Sequence, residues 1–389
     1  VTLDHRARVA VAALFLTNGA IFANLLPRYP EIKSDLHLSN AVYGAAIAAF
    51  SGGALVAGLA AGALIRRFHS SRVAVISTVI LATFVVVAGL ANSPLVFAAA
   101  LFVAGASDSI TDVAQNAHGL RVQRNYGRSI INSFHAVWAV GAILGGLMGA
   151  GAIAIHMPRS THLLIAAVVF SVVVLIAYPY LLRGADHDDH PAAHSAGGNA
   201  GLAVYATLLA LVLIAIAGAT VEDAGSSWAT LYLRDSLGAP GAVAVFGYIA
   251  LVGFMFLGRL IGDRLVDRYG ERLVVRAGGL IAAVGMGAAL AFPTVPGTIA
   301  GFAAAGFGVA TLIPAAMHGA DQLPGMRPGS GLTVVTWLMR IGFFGAPLLV
   351  GVVADATSLR VGLLSVPIAG ITVVALAGAL NARRLPSRS

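Results

Sequence analysis

The sequence predicts an all-α integral membrane protein with twelve transmembrane helices in two parallel six-helix repeats. Of its 389 residues, 58% are hydrophobic and only 10% charged, where a soluble chain carries roughly 25% charged residues. Apolar runs of about 20 residues, the length that crosses a hydrocarbon core roughly 30 Å thick, recur along the whole chain. A repeat is written in the glycines: Gly53, Gly58, Gly62, Gly119, Gly145 and Gly151 recur 200 residues later as Gly253, Gly258, Gly262, Gly319, Gly345 and Gly351, and His118 recurs as His318. An even number of helices per repeat keeps both halves in one orientation, which places a substrate site between them near the midplane.

In chain order the predicted spans are 9–30, 41–65, 73–92, 95–118, 129–155 and 160–182, then 202–226, 241–262, 273–292, 297–318, 330–353 and 359–381. The first follows Arg6 and Arg8, lacks a small-residue cleavage site and reads as helix 1 instead of a removable leader. The polar stretch "GADHDDHPAAHSAGGNA" then separates an N-terminal bundle, 1–183, from a C-terminal bundle, 201–389, with 184–200 as a cytoplasmic linker. Its histidines and aspartates suit a solvated connector more than a metal site.

Twelve spans put both termini on one side. Lys and Arg accumulate in cytoplasmic loops, and with the termini inside the inner loops and ends gather Arg66, Arg67, Arg72, Arg121, Arg124, Arg128, Arg259, Arg264, Arg268, Arg272, Arg276 and Arg327. The outer side keeps Arg28, Lys33, Arg159, Arg234 and Arg360. The reading is a multi-pass, monomeric protein of a bacterial inner membrane, both termini cytoplasmic. Its net charge of +8 follows from this topology and calls for no nucleic-acid partner. With no cysteine there is no thiolate chemistry. No phosphate loop, zincin motif or nucleophile elbow appears, so neither an enzyme nor an ATP-driven pump is expected, and no cofactor or metal.

What chemistry there is sits in the spans. "GASDSITDVAQNAHG" (Gly105 to Gly119) puts Asp108 near the middle of helix 4 and Asp112 one turn, about 6 Å, toward the cytoplasm. Gln115 and Asn116 continue the same polar seam at three- and four-residue spacing. A central aspartate costs roughly 2.5 to 3.5 kcal/mol on insertion scales, so the pair needs a partner or a wet cavity. Two neighbouring carboxylates in a low dielectric resist ionising together, a property of proton carriers; the plainer reading is acids bonded across helices. His135 and Arg340 are further midmembrane polar residues, the first able to exchange protons and the second in need of a counter-charge, from Asp108 or Asp112 or from an anionic substrate. Asn18, Asn24, Trp138 and Glu222 complete the candidate substrate contacts. Glu222 and Asp223 sit toward the outer end of helix 7, as a gate, a cavity lining or a solvated pair.

These motifs resemble the major facilitator superfamily over essentially the whole chain. Loop 8–9, "GRLIGDRLVDRYGER", is similar to that superfamily's cytoplasmic loop signature, with Asp267, Arg268 and Gly270 in place, while loop 2–3, "GALIRRFHSSR", has Arg66 at the aspartate and His69 at the glycine. "DVAQNAHG" with "FHAVWAVGAILGG" resembles the fucose permease-like branch and related bacterial permeases, and "EDAGSSWATLYLRD" resembles their helix 7 end. The resemblance implies an acid at Asp112, an asparagine at Asn116 and a helix 5 polar residue at His135. "FANLLP" has Asn24 and no acid where that branch carries a second one. The resulting expectation is a secondary active transporter of a polar small molecule, working by alternating access and coupled to protons through helix 4. The alternatives are a proton-driven exporter of drugs or metabolites and a transporter-fold sensor without flux. "GAILGGLMGAG" in helix 5 lacks the Gly-Pro element that exporters often carry.

Overall fold

The computed structural model describes residues 3–126, 130–184, 201–326 and 329–380. Its twelve helices of membrane length are α1 (His5–Asp35), α2 (Asn40–Phe68), α3 (Ser70–Gly89), α4 (Pro94–Asn125), α5 (Ser133–Ala154), α6 (Arg159–Tyr180), α7 (Leu202–Ser236), α8 (Gly241–Tyr269), α9 (Glu271–Ala291), α10 (Val295–Asp321), α11 (Ser330–Ala356) and α12 (Leu359–Ala379). Except for Gly184, the expected linker lies outside the described residues, as do Arg128 and Arg327. The chain divides into two compact units, Val1–Asp189 with Ala239–Ile249, and His190–Gly238 with Ala250–Ser389.

The helix pairing of the first unit recurs in the second. α1 packs on α5, α3 on α4 and α3 on α6; likewise α7 packs on α11, α9 on α10 and α9 on α12. Of the repeated glycines, Gly53, Gly145 and Gly258 sit at close helix contacts, whereas Gly151, Gly253 and Gly345 have nothing within 4 Å of an added Cβ. Without a hydrophobic drive between helices in lipid, small residues that admit a neighbouring backbone set where helices cross. A Cβ on Gly19 of α1 would run into the Trp138 carbonyl of α5, and one on Gly141 into the Leu16 carbonyl of α1. The same relation holds Gly53 of α2 to the Phe102 carbonyl of α4 and Gly105 of α4 to the Phe50 carbonyl of α2.

Several spans run further than hydropathy suggests. α4 continues past His118 to Asn125, and His118 is a buried structural link. Its Nε2 accepts from the Leu182 N–H, so its Nδ1 carries the proton donated to Ser70 Oγ, 2.8 Å away. In the second unit His318 faces the first residue of α9, with its Nε2 3.8 Å from Glu271 Oε1. α1 bends at Pro27 through a short 3-10 turn, Leu26–Arg28, and resumes as Tyr29–Asp35. Arg28, expected at the outer end of the first span, is buried within this bend. α7 extends to Ser236 through two π-helical stretches, Ala224–Trp228 and Tyr232–Ser236.

Candidate functional site

The backbone crossing of α1 and α5 sets Asn18 against Trp138, and α4 supplies the third wall. Trp138 Nε1 donates to Asn18 Oδ1 at 2.9 Å, and Asn18 Nδ2 donates to Asp108 Oδ1 at 2.8 Å. The direction is fixed chemically: an indole N–H can only donate, so the asparagine oxygen faces it and the amide nitrogen is left for the carboxylate. Gln115 Nε2 makes a longer bond to the same Asn18 oxygen, 3.3 Å. Gln115 is fully buried, and its Oε1 accepts no hydrogen bond among the described residues. Asn18 is buried, whereas Asp108 and Trp138 are half-buried.

Asp112 belongs to a second chain. Asn116 Nδ2 lies 2.9 Å from both the Asp112 backbone oxygen and Asp112 Oδ1. Two acceptors on one amide group identify it as the nitrogen, which turns Asn116 Oδ1 toward His135 Nε2 at 3.1 Å. His135 Nε2 is therefore the protonated nitrogen of this contact. Phe15 of α1 meets the His135 ring edge-on at 5.3 Å and stacks on Phe134 at 5.4 Å, which fixes the imidazole plane. Asp112 and His135 are exposed and Asn116 half-buried. Three hydrogen-bonding groups on such a face of an apolar bundle require a wet cavity.

The two aspartates therefore share a helix face, as their spacing predicts, yet take different partners. His135 is not midmembrane: it stands in the first turns of α5, which starts at Ser133. Asn24 does not join Asn18. It is fully buried in a separate network, where Arg28 Nε donates to His162 Nδ1 at 3.2 Å, His162 Nε2 donates to Asn24 Oδ1 at 2.9 Å, and Asn24 Nδ2 donates to the Ala20 carbonyl at 2.8 Å. Arg28 also bonds Glu31 and the Met157 carbonyl, at 2.7 and 2.9 Å. Every polar atom of the Asn24 amide oxygen and nitrogen has a protein partner, so this network ties α1 to α6.

In the second unit, Glu222 is not at an outer end, because α7 runs on to Ser236. Arg259, inside the predicted span 241–262, lies within α8, where its Nη2 stands 3.8 Å from Glu222 Oε2. Asp223 is buried, accepts from Ser227 Oγ at 2.9 Å through Oδ1, and has no hydrogen bond on Oδ2 among the described residues. Trp228 is fully buried. Arg340 sits in α11, half-buried. Asp267 and Arg268 are exposed at the end of α8, and Gly270 turns the chain into α9 with φ 85°. Arg259 was legible in principle: counting back along the helix, Met255, Val252, Leu251 and Tyr248 form a buried stripe, and Arg259 continues it.

Twelve membrane-length helices in two repeated units, with polar side chains arrayed inside an apolar bundle, define a membrane transporter of the secondary class. The chain belongs to the Major Facilitator Superfamily, whose family model matches residues 11–266. It is 30% identical over 372 residues to an uncharacterized transporter, y4wD, of Sinorhizobium fredii, covering 95% of this chain and 97% of that protein. Among solved structures it resembles the nucleoside transporter NupG with a TM-score of 0.73 at 15% identity, over 97% of this chain and 98% of that one. It resembles a D-xylose-proton symporter with a TM-score of 0.75 at 14% identity, over 97% of each chain.

Proposed function

We propose that this protein moves a polar small molecule by alternating access, coupled to a proton carried on Asp112. The chain Asp112–Asn116–His135 carries this reading. It joins an exposed carboxylate to an exposed imidazole through an amide whose two ends are oriented by its partners. An ionised Asp112 draws on the Asn116 N–H and polarises the amide oxygen toward His135, so the charge of one group is felt by the other. Adding a proton to Asp112 removes a charge that costs roughly 2.5 to 3.5 kcal/mol to hold in the membrane, which frees α4 to move with its cargo bound.

In the first unit Asn18, Gln115, Trp138 and Asp108 supply donors, acceptors and a ring face for the solute, with Asn116 extending the set; in the second unit, taken by itself, Glu222 and Arg340 are the proposed contacts. A hydroxylated solute, the broad class that includes the nucleoside and sugar named for the two structural relatives, presents the hydroxyl groups that such a set holds. The proposed setting is the bacterial inner membrane with both termini cytoplasmic and the chain acting as a monomer. The test is solute-driven proton movement in proteoliposomes containing a pH-sensitive dye. Asp112→Asn is expected to abolish the coupled signal while leaving solute exchange; coupled uptake at the wild-type rate in that variant would sink the assignment.

A further inference from the structure

The second unit holds a charged pair that the proton reading does not use. Arg259 lies inside α8, about 15 Å from its Tyr269 end at roughly 1.5 Å per residue. It is not turned to lipid. Phe254, Leu257 and Ile261 mark the exposed apolar side of α8, while Tyr248, Leu251, Val252 and Met255 are buried; Arg259 falls on the helix face of the buried set. On α7, Glu222 is likewise opposite the exposed stripe of Tyr205, Leu209 and Leu213. Yet the Arg259 side chain keeps 41% of its exposure and Glu222 keeps 21%. A protein-facing guanidinium with that much open surface requires a wet cavity.

The bond between the two is loose. Their separation of 3.8 Å is beyond a hydrogen bond, and Arg259 and Glu222 make no hydrogen bond among the described residues. A guanidinium has five N–H donors in a planar fork shaped for a carboxylate, and none of these makes a hydrogen bond among the described residues. A dianion such as phosphate would want more than one cation, whereas Glu222 beside the site leaves room for a single negative charge at most. We propose that Arg259 binds a carboxylate on the transported solute, taken up bidentately in exchange for the loose contact to Glu222. Only the word transported rests on the function proposed above; the binding site stands on the α7–α8 geometry alone.

The experiment measures binding apart from flux. The full chain in detergent is heated with acetate, D-gluconate, L-lactate or benzoate at matched ionic strength, with D-glucose, myo-inositol and choline as uncharged and cationic controls. At least one carboxylate is expected to raise the unfolding midpoint where its neutral counterpart does not. Arg259→Gln is expected to weaken that binding roughly ten-fold or more, the equivalent of one charge-assisted hydrogen bond. Glu222→Gln, which removes the competing carboxylate, is expected to tighten it several-fold. The double variant Glu222→Gln/Arg259→Gln keeps the shape of the pair with no charge, and so tests the site in a folded background should the single variant fail to fold. An undiminished carboxylate shift in the double variant overturns the proposal, as does a wild-type chain that no carboxylate stabilises. A site that binds carboxylate through Arg259 in proteoliposomes showing no flux would instead overturn the transport reading.

Discussion

His69 and Gly270 carry the same unusual backbone at the same point of the two repeats, the entry to α3 and to α9, with φ 71° and ψ 144° at the histidine and φ 85° and ψ 152° at the glycine. Glycine adopts such angles freely, whereas a residue with a Cβ is strained there by about 1–3 kcal/mol. The departure of loop 2–3 from the family signature is thus a departure in side chain and not in backbone path. His69→Gly is expected to stabilise the protein by about 1 kcal/mol, the strain relieved less the 0.5–1 kcal/mol or so that glycine loses in the unfolded chain. Gly270→His is expected to destabilise it. Thermal unfolding of the two variants in detergent checks both signs; a lowered midpoint for His69→Gly refutes the strain argument.

The Trp138 indole sets the Asn18 amide, and the amide in turn serves Asp108. Trp138→Phe preserves the ring but removes the donor, so the Asn18 oxygen is left with only the longer bond from Gln115. Losing the indole bond is expected to cost about 0.5–1.5 kcal/mol, since the buried acceptor keeps only its longer partner. In a double-mutant cycle, Trp138→Phe and Asp108→Asn should be non-additive by about 0.5 kcal/mol or more, because they share one amide. Strict additivity would show that the Trp138 bond does not orient Asn18 toward the carboxylate.

How far the fold could be read in advance varies by element. The spans were legible because about 20 consecutive apolar residues have few soluble alternatives, and the repeat because glycines recur at a fixed 200-residue offset. The end of α7 was not, since "AGSSWATLYLRD" lowers the local hydropathy while the π-helical stretches carry the helix onward. Arg259 falls inside the predicted span 241–262, and its charge alone groups it with the cytoplasmic end, although its spacing from the buried residues behind it puts it on the protein-facing side of the helix. Spacing placed Asp108 and Asp112 on one face but could not separate them, because the difference lies in what α1 and α5 bring opposite each. Polarity alone marks Asn24; its partner His162, which links it to Arg28, is brought to it from a distant chain position that only packing unites.

The crossing of α1 and α5 is the foundation of the first-unit site. A side chain at Gly19 would meet the Trp138 carbonyl, and one at Gly141 the Leu16 carbonyl, both backbone atoms that cannot rotate away. Gly19→Val and Gly141→Val are each expected to separate the two helices and to reduce the folded yield sharply. The Gly151→Val control on α5, where nothing lies within 4 Å, should be tolerated. Monodisperse protein recovered after detergent extraction and size-exclusion chromatography measures the difference; equal yields of all three would show that the crossing tolerates wider spacing.

His135 allows structural bonding to be told apart from proton exchange. His135→Gln retains an N–H group able to donate to Asn116 Oδ1, but it removes the imidazole that ends the Asp112–Asn116–His135 array. If His135 only holds Asn116 in place, glutamine should support coupled transport with an unchanged pH profile. If the imidazole feeds protons to Asp112, glutamine should leave folding and solute exchange intact while flattening the pH dependence of coupled uptake. The second outcome is expected, because His135 and Asp112 are both exposed while the amide between them is held at each end. Asn116→Leu cuts the same chain in the middle, and so should uncouple the two groups without removing either. Uptake measured from pH 5.5 to 8.5 in proteoliposomes of each variant decides the matter, with retained pH dependence in His135→Gln as the result that refutes the relay.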